Sequence, residues 1–299
     1  MVEKNTQHVS NHQKVSNIGK LHNNDRPLPF ADDDSKNPPA RNALDRLARR
    51  FSRSAYVIVV LLLYLLASTA LGLALAPALF IFGQLLTWSQ NLPQLLHWIV
   101  SGFGLAISFF IFGFTLLFVV SIYNWLLPTK VRPFKGGYYS LEAVPWFLHN
   151  GLFYLVRFTF LPFVTMTPFG ICFLKAMGMT LGRHVFINTE YISDPQLITL
   201  GDDVALGGSV RIFAHYGGHG NLVVEPVIVG ERATIGLAAT IMGDVQIGAD
   251  ATILAHSVLM PGSRVGKGET WGGVPARPIS REKMEALKKE IGTASKFRT

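Results

Sequence analysis

Val229-Gly230-Glu231-Arg232-Ala233-Thr234-Ile235-Gly236-Leu237-Ala238-Ala239-Thr240-Ile241 opens a stretch, running to Ala276, that keeps a strict beat of six. Its apolar anchors are Val229, Ile235, Ile241, Ile247, Ile253, Leu259, Val265 and Trp271. Val229, Ile235, Ile247, Val265 and Trp271 are each followed directly by Gly. Four residues after successive anchors stand Ala233, Ala239, Val245, Ala251, Ser257 and Ser263, mostly small. A helix repeats near 3.6 and a half-buried strand at 2, so neither alone selects six. A hexad is a solenoid period, in which each short strand forms one face of a coil and stacked coils bury a shared core. Three hexads per turn make a triangular prism, with the anchor inside and the small residue where coils stack. The Gly is expected at the tight corner, where φ is positive.

Upstream the beat is interrupted. Leu181-Gly182 and Ile187 begin it, the segment from Ser193 to Thr199 breaks phase, and Leu200-Gly201, Leu206-Gly207 and Ile212 resume it. A longer break runs from Tyr216 to Ile228. An insertion must leave a prism as a loop, because the interior has no room for it, so chemistry is sought there.

The balance of the whole chain is unusual for a soluble enzyme: of 299 residues, 49% are hydrophobic and 15% charged, with a formal charge of +8. From Ser54 to Thr129 there is no Asp, Glu, Lys or Arg. Two apolar blocks, Ala55 to Leu86 and Leu95 to Leu127, each exceed the roughly 20 residues a bilayer-crossing helix needs. Thr87 to Gln94 separates them as a polar turn containing Trp88, and Pro77 is expected to kink or end the first block early. Arg41, Arg46, Arg49, Arg50 and Arg53 precede this hairpin and Lys130, Arg132 and Lys135 follow it, while the turn has no basic residue. The positive-inside rule then places both ends of the hairpin, and the solenoid, on the cytoplasmic side of the plasma membrane. Basic residues that flank apolar spans, without a nucleic-acid motif, point to lipid and not to nucleic acid as the anionic partner.

Residues 1–45 are polar and read as a disordered tail, followed by a short basic helix over Leu44 to Phe51. Residues 46–130 form the hairpin unit. Residues 131–178 are aromatic but broken by Pro145, Pro162 and Pro168, and read as interfacial helices, with Arg157 and Lys175 reaching lipid headgroups. Residues 179–279 are the solenoid. Residues 280–299 hold a capping helix from Ser280 to Glu290 and a tail. The one cysteine, Cys172, reads as a small buried hydrophobe.

His215 stands directly before the longer break, which carries His219 and Glu225-Pro226. A neutral imidazole suits removal of a proton from an attacking alcohol or amine. Such a base needs an acceptor on its other nitrogen, and Glu225 is the nearest carboxylate in sequence. His184 and His256 lie in the regular ladder and read as corner or outward residues, as do Arg264 and Lys267.

The hexads, together with the closing Trp271-Gly272-Gly273-Val274-Pro275-Ala276-Arg277, resemble the left-handed β-helix acyltransferase family. The region around His215 is similar to the acyltransferase-like domains that end membrane-bound polylysine-synthetase-type peptide synthetases. The resemblance covers about residues 180–277. It implies a left-handed parallel β-helix, a homotrimer, and acetyl-CoA as acyl donor in a groove between prisms, with no metal. It also implies that His215 is the base, with His219 as its rival. Ala239 and Ser257 would line the pantetheine groove, and Gly273, Ala276 and Arg277 would meet the adenine and phosphate end. The acceptor would be a membrane-linked saccharide, lipid or nascent polymer. Two other readings compete: a non-catalytic scaffold in a synthetase or polysaccharide assembly, and a zinc enzyme of the γ-carbonic-anhydrase kind, which needs three histidines at a stacked spacing.

Overall fold

The computed structural model describes residues 52–138, 140–218 and 221–280, with positions 282, 285, 286 and 289. The expected polar tail and the basic helix before the hairpin lie outside the described residues, and the expected C-terminal helix falls mostly outside them.

Two long helices come first, α1 (Ser52–Ser89) and α2 (Gln94–Leu126). Both are long and apolar enough to cross a membrane. Their outward faces carry Leu61, Tyr64, Leu65, Leu79, Phe80, Phe103, Leu105 and Phe118, all exposed. An apolar patch of this size marks a surface made to meet a partner or a membrane. Pro77 does not end α1, which runs on to Ser89. The turn is closed by Ser89 Oγ and His97 Nδ1 at 2.9 Å, and Tyr123 donates its hydroxyl to Thr69 Oγ1 at 3.1 Å near the other end.

Three shorter helices follow: α3 (Ala143–Arg157), α4 (Leu161–Val164) and α5 (Pro168–Ala176). Prolines mark their borders, with one at the first turn of α4 and of α5, where the missing N–H costs nothing. They pack on the hairpin through glycine. A Cβ on Gly113 of α2 would lie 2.1 Å from the Phe160 ring, and one on Gly151 of α3 would lie 2.3 Å from Leu63 of α1. Phe160 is fully buried, with Phe109 and Phe114 edge-on to it at 5.7 and 5.3 Å. Two expectations fail in this layer. Arg157 does not reach outward but is 7% exposed, pressed between α3 and the solenoid by aromatic rings. Cys172 is exposed, because α5 turns only its Gly170, Phe173 and Leu174 face inward.

From Thr180 the chain winds a left-handed parallel β-helix of about five turns. One face stacks Thr180–Leu181, Ile198–Leu200, Val227–Val229, Val245–Ile247 and Arg264–Val265. The second stacks Phe186–Ile187, Ala205–Leu206, Thr234–Ile235, Thr252–Ile253 and Thr270–Gly272, and Arg277–Pro278 folds back antiparallel on the last of these. The third stacks Ile192–Ser193, Arg211–Phe213, Thr240–Ile241 and Val258–Leu259. Register keeps anchors over anchors: Leu200 pairs with Val229, and Val229 with Ile247. Ile187, Leu206, Ile235, Ile241, Ile253 and Leu259 are all buried, each contributing about 2 kcal/mol of apolar transfer.

The glycine after the anchor serves a different purpose from the one its position suggests. The left-handed residue of each corner stands three after the anchor: His184, Asp203, Ser209, Arg232, Ala238, Asp244, Asp250 and His256, with φ between 54 and 61°. Most of these corners tolerate a side chain. The glycine directly after the anchor is needed because the next coil's backbone lies against it. A Cβ on Gly230 would sit 2.5 Å from Ala249 N, and one on Gly236 2.5 Å from Ala255 N.

Candidate active site

The longer insertion leaves the prism after Arg211–Phe213 as a two-stranded ribbon, His215–Gly218 against Asn221–Val224. Phe134–Gly137, just beyond the hairpin, adds a third antiparallel strand to it, so the ribbon is tied to the segment that follows the two apolar helices. Gly217 is forced by this contact: a Cβ there would lie 1.9 Å from the Tyr138 hydroxyl.

His215 stands at the root of the ribbon with its ring edge-on to Trp146 at 5.1 Å and tilted against Phe213 at 6.0 Å. Its Nδ1 lies 2.5 Å from Oδ2 of Asp194, whose side chain is wholly buried. Asp194 belongs to the shorter phase break and adopts the left-handed conformation, φ 59° and ψ 50°, which Asp accepts more readily than most residues. Two residues of α3 hold its other oxygen. Trp146 Nε1 and Asn150 Nδ2 each donate to Oδ1 at 2.7 Å. Asn150 also accepts the Asp194 backbone N–H through Oδ1 at 3.3 Å. The two carboxylate oxygens thus take three donors, which fixes the group and offsets the cost of burying it. With Asp194 accepting from Nδ1–H, the imidazole keeps its lone pair on Nε2, the arrangement a general base requires.

The orienting carboxylate is therefore Asp194, and not Glu225. The Glu225 backbone N–H donates to Ala214 O at 2.9 Å, next to His215 in the chain, while the carboxylate on His215 Nδ1 is that of Asp194. Burial, and secondarily the negative charge of Asp244, push the Glu225 carboxyl above its ordinary range. A solenoid brings together residues one coil apart, so the nearest carboxylate in space is 21 residues back. His219 lies outside the described residues.

The residues expected around the acyl donor divide. Ala239 and Ser257 have no exposed surface, because the position four after the anchor points into the prism; they do not line a groove. Ala276 is buried at 2% exposure, while Gly273 takes a positive φ of 97° and Arg277 is exposed, with Nη1 donating to the Ala276 carbonyl at 3.0 Å. His184 and His256 are exposed corner residues. Among the described residues no three His, Cys, Asp or Glu side chains converge as a metal-ligand group. Asp194, Trp146 and Asn150 are the site residues that sequence reading missed. The phase break from Ser193 to Thr199 was the signal for the first of them.

A second buried polar cluster joins the hairpin to the prism. His149 of α3 meets Asn124 Oδ1 at 2.9 Å and Gln196 Nε2 at 3.0 Å through Nδ1, and Gln196 also donates to the Thr129 carbonyl. Burial lowers the His149 pKa to about 4, against a smaller opposing pull from Asp194. That histidine is neutral, and Gln196 ties it to the turn that carries Asp194.

Fold and site define a left-handed β-helix protein of the hexapeptide-repeat class, with a partly exposed His held by a buried Asp at the root of its projecting ribbon. No family model matches the chain. Over 107 residues it is 29% identical to Delta-poly-L-ornithine synthetase of Acinetobacter baumannii (strain AB307-0294), a stretch making up 36% of this chain and 8% of the synthetase. Among solved structures it is similar to a hexapeptide-repeat containing acetyltransferase of Vibrio cholerae complexed with acetyl coenzyme A. The identity there is 27%, covering 34% of this chain and 60% of that one, with a TM-score of 0.32. It is also similar to a maltose O-acetyltransferase of Clostridium difficile, at 21% identity over 38% of this chain and 74% of that one, TM-score 0.30. The chain thus spans a small fraction of the synthetase and about three-fifths of the Vibrio enzyme.

Proposed function

We propose that this protein is a membrane-anchored acyltransferase that takes its acyl group from acetyl-CoA, with His215 as general base. The observation that carries the reading is the His215–Asp194 pair: a half-buried imidazole whose Nδ1 is held by a carboxylate, itself fixed by Trp146 and Asn150. His215 Nε2 takes the proton of an acceptor hydroxyl or amine as its oxygen or nitrogen attacks the thioester carbonyl. The tetrahedral intermediate collapses, the C–S bond breaks, and the imidazolium returns the proton to the coenzyme A thiolate. Asp194 steadies the imidazolium between the two steps. Holding donor and acceptor in one site supplies much of the rate by proximity.

The hairpin supports membrane anchoring, and the arginines and lysines at both of its ends favour a cytoplasmic prism. The acceptor is then membrane-linked, since α3 both packs on the hairpin and orders the dyad. The resemblance supports a homotrimer, in which exposed Arg277 would meet the phosphate end of the donor. Calorimetric titration of the detergent-solubilised chain with acetyl-CoA tests the reading. Saturable binding near one molecule per chain is expected, and no binding by the folded protein would leave a scaffold.

A further inference from the structure

Beside the dyad, on the outer side of the third face, lies a group of side chains that proton transfer does not use. Arg157, the last residue of α3, is 7% exposed, and its Nε has no hydrogen-bond partner. Its Nη1 makes two long contacts, 3.4 Å to the Ile192 carbonyl and 3.5 Å to Ser193 Oγ. Its guanidinium carbon lies 5.1, 5.2 and 5.3 Å from the ring centres of Tyr154, Phe158 and Tyr191. Arg211 lies over the same Tyr191 ring at 5.4 Å and is exposed. Among the described residues no carboxylate forms an ion pair with either arginine. Tyr154 and Ser193 complete the group, hydroxyl to hydroxyl at 2.5 Å.

Covalent continuity ties these residues to the dyad: Ser193 precedes Asp194, and Arg211 stands on the strand that leads into His215. Ser193 pairs with Phe213, the ring tilted against His215. A buried guanidinium lacking a carboxylate costs stability. Packing of a helix-terminal arginine on rings accounts for Arg157 by itself, but not for a second guanidinium brought to the same ring. Two guanidiniums on one ring, neither paired with a carboxylate, leave positive charge that an anion would neutralise, and hydroxyls nearby add donors.

We propose that Arg157 and Arg211, with Ser193 and Tyr154, form a subsite for a phosphate group on the acyl acceptor. The inference rests on the acyltransferase reading and specifies its substrate: a phosphorylated acceptor, met by exposed Arg211 and buried Arg157, with its nucleophile presented to His215. Phosphate is favoured over carboxylate because it carries close to two negative charges and three acceptor oxygens, matching two guanidiniums and the nearby hydroxyls.

The test is calorimetry on the full chain in detergent micelles, with coenzyme A saturating so that the donor's own phosphates are already placed. The probes are inorganic phosphate, dihexanoyl phosphatidic acid and acetate. Wild type is expected to bind the first two saturably and acetate at least about tenfold more weakly. Arg211→Gln and Arg157→Gln should each weaken phosphate binding about tenfold or more, with coenzyme A affinity unchanged. Arg211 is exposed, so its variant keeps the test valid should Arg157→Gln not fold. Phosphatidic acid binding tenfold tighter than phosphate assigns a lipid-borne group, and equal affinities assign a soluble phosphorylated acceptor; both support the subsite. No saturable phosphate binding, binding indifferent to both arginines, or preference for acetate overturns it. Coenzyme A binding on the same sample separates the two readings. If it is kept while phosphate fails, only the subsite falls; if it fails while arginine-dependent phosphate binding holds, the acyltransferase reading falls.

Discussion

Asp194 and His215 are one coil apart in the solenoid and 2.5 Å apart in space, with the carboxylate fully buried and the imidazole partly exposed. Asp194→Asn keeps the shape but removes the acceptor that sets the tautomer. It should lower kcat about 100-fold or more while KM for acetyl-CoA stays within about twofold. Glu225→Gln should change kcat less than about threefold, since the carboxylate it removes does not reach the imidazole. Steady-state rates of thiol release, with a lipid extract as acceptor, distinguish the two.

Trp146 and Asn150 each donate a hydrogen bond to Asp194. Removing either donor leaves a buried carboxylate short of one hydrogen bond, so Trp146→Phe and Asn150→Ala should each destabilise the protein by about 1–3 kcal/mol. Denaturant titration in detergent measures this.

His149 makes stability depend on pH. Its folded pKa is near 4, against 6.5 for an exposed histidine. The unfolded chain therefore binds the extra proton first. The contribution is intact above about pH 6.5, erodes as pH falls, and is fully lost below about pH 4, a total of roughly 3 kcal/mol. His149→Gln should flatten the dependence in that window. A slope equal to wild type would contradict the assignment.

The glycines test two kinds of close approach. Gly113→Ala drives a methyl into the buried Phe160 ring and should cost about 1–3 kcal/mol, with Phe160→Leu restoring part of it in the double variant. Gly230→Ala should destabilise the prism by a comparable amount, because the atom it meets is backbone. Ala238→Gly, at a φ of 55°, should instead be neutral or stabilising by about 1 kcal/mol. Thermal unfolding of the three variants reads the difference.

These variants also mark what was legible in the sequence. The anchors of the prism and the two apolar helices follow directly from the hexads and from the uncharged run between Ser54 and Thr129. The glycine after five of the eight anchors was legible as a signal but not as a cause, since coil-to-coil contact involves a residue some 18 places away. The position of His215 at the root of an insertion was readable. Its partner was not, because proximity in a solenoid follows coil spacing and Glu225 is near only along the chain. Trp146 and Asn150 are remoter still: α3 looks from its aromatic content like a membrane-surface helix, and nothing local reveals that one edge of it clamps a carboxylate.

The most direct measurement is transfer of radiolabelled acetyl from acetyl-CoA to the membrane fraction by wild type and by His215→Ala. The account predicts label transferred by wild type and transfer reduced about 100-fold or more in the folded variant. Equal labelling by both would contradict it.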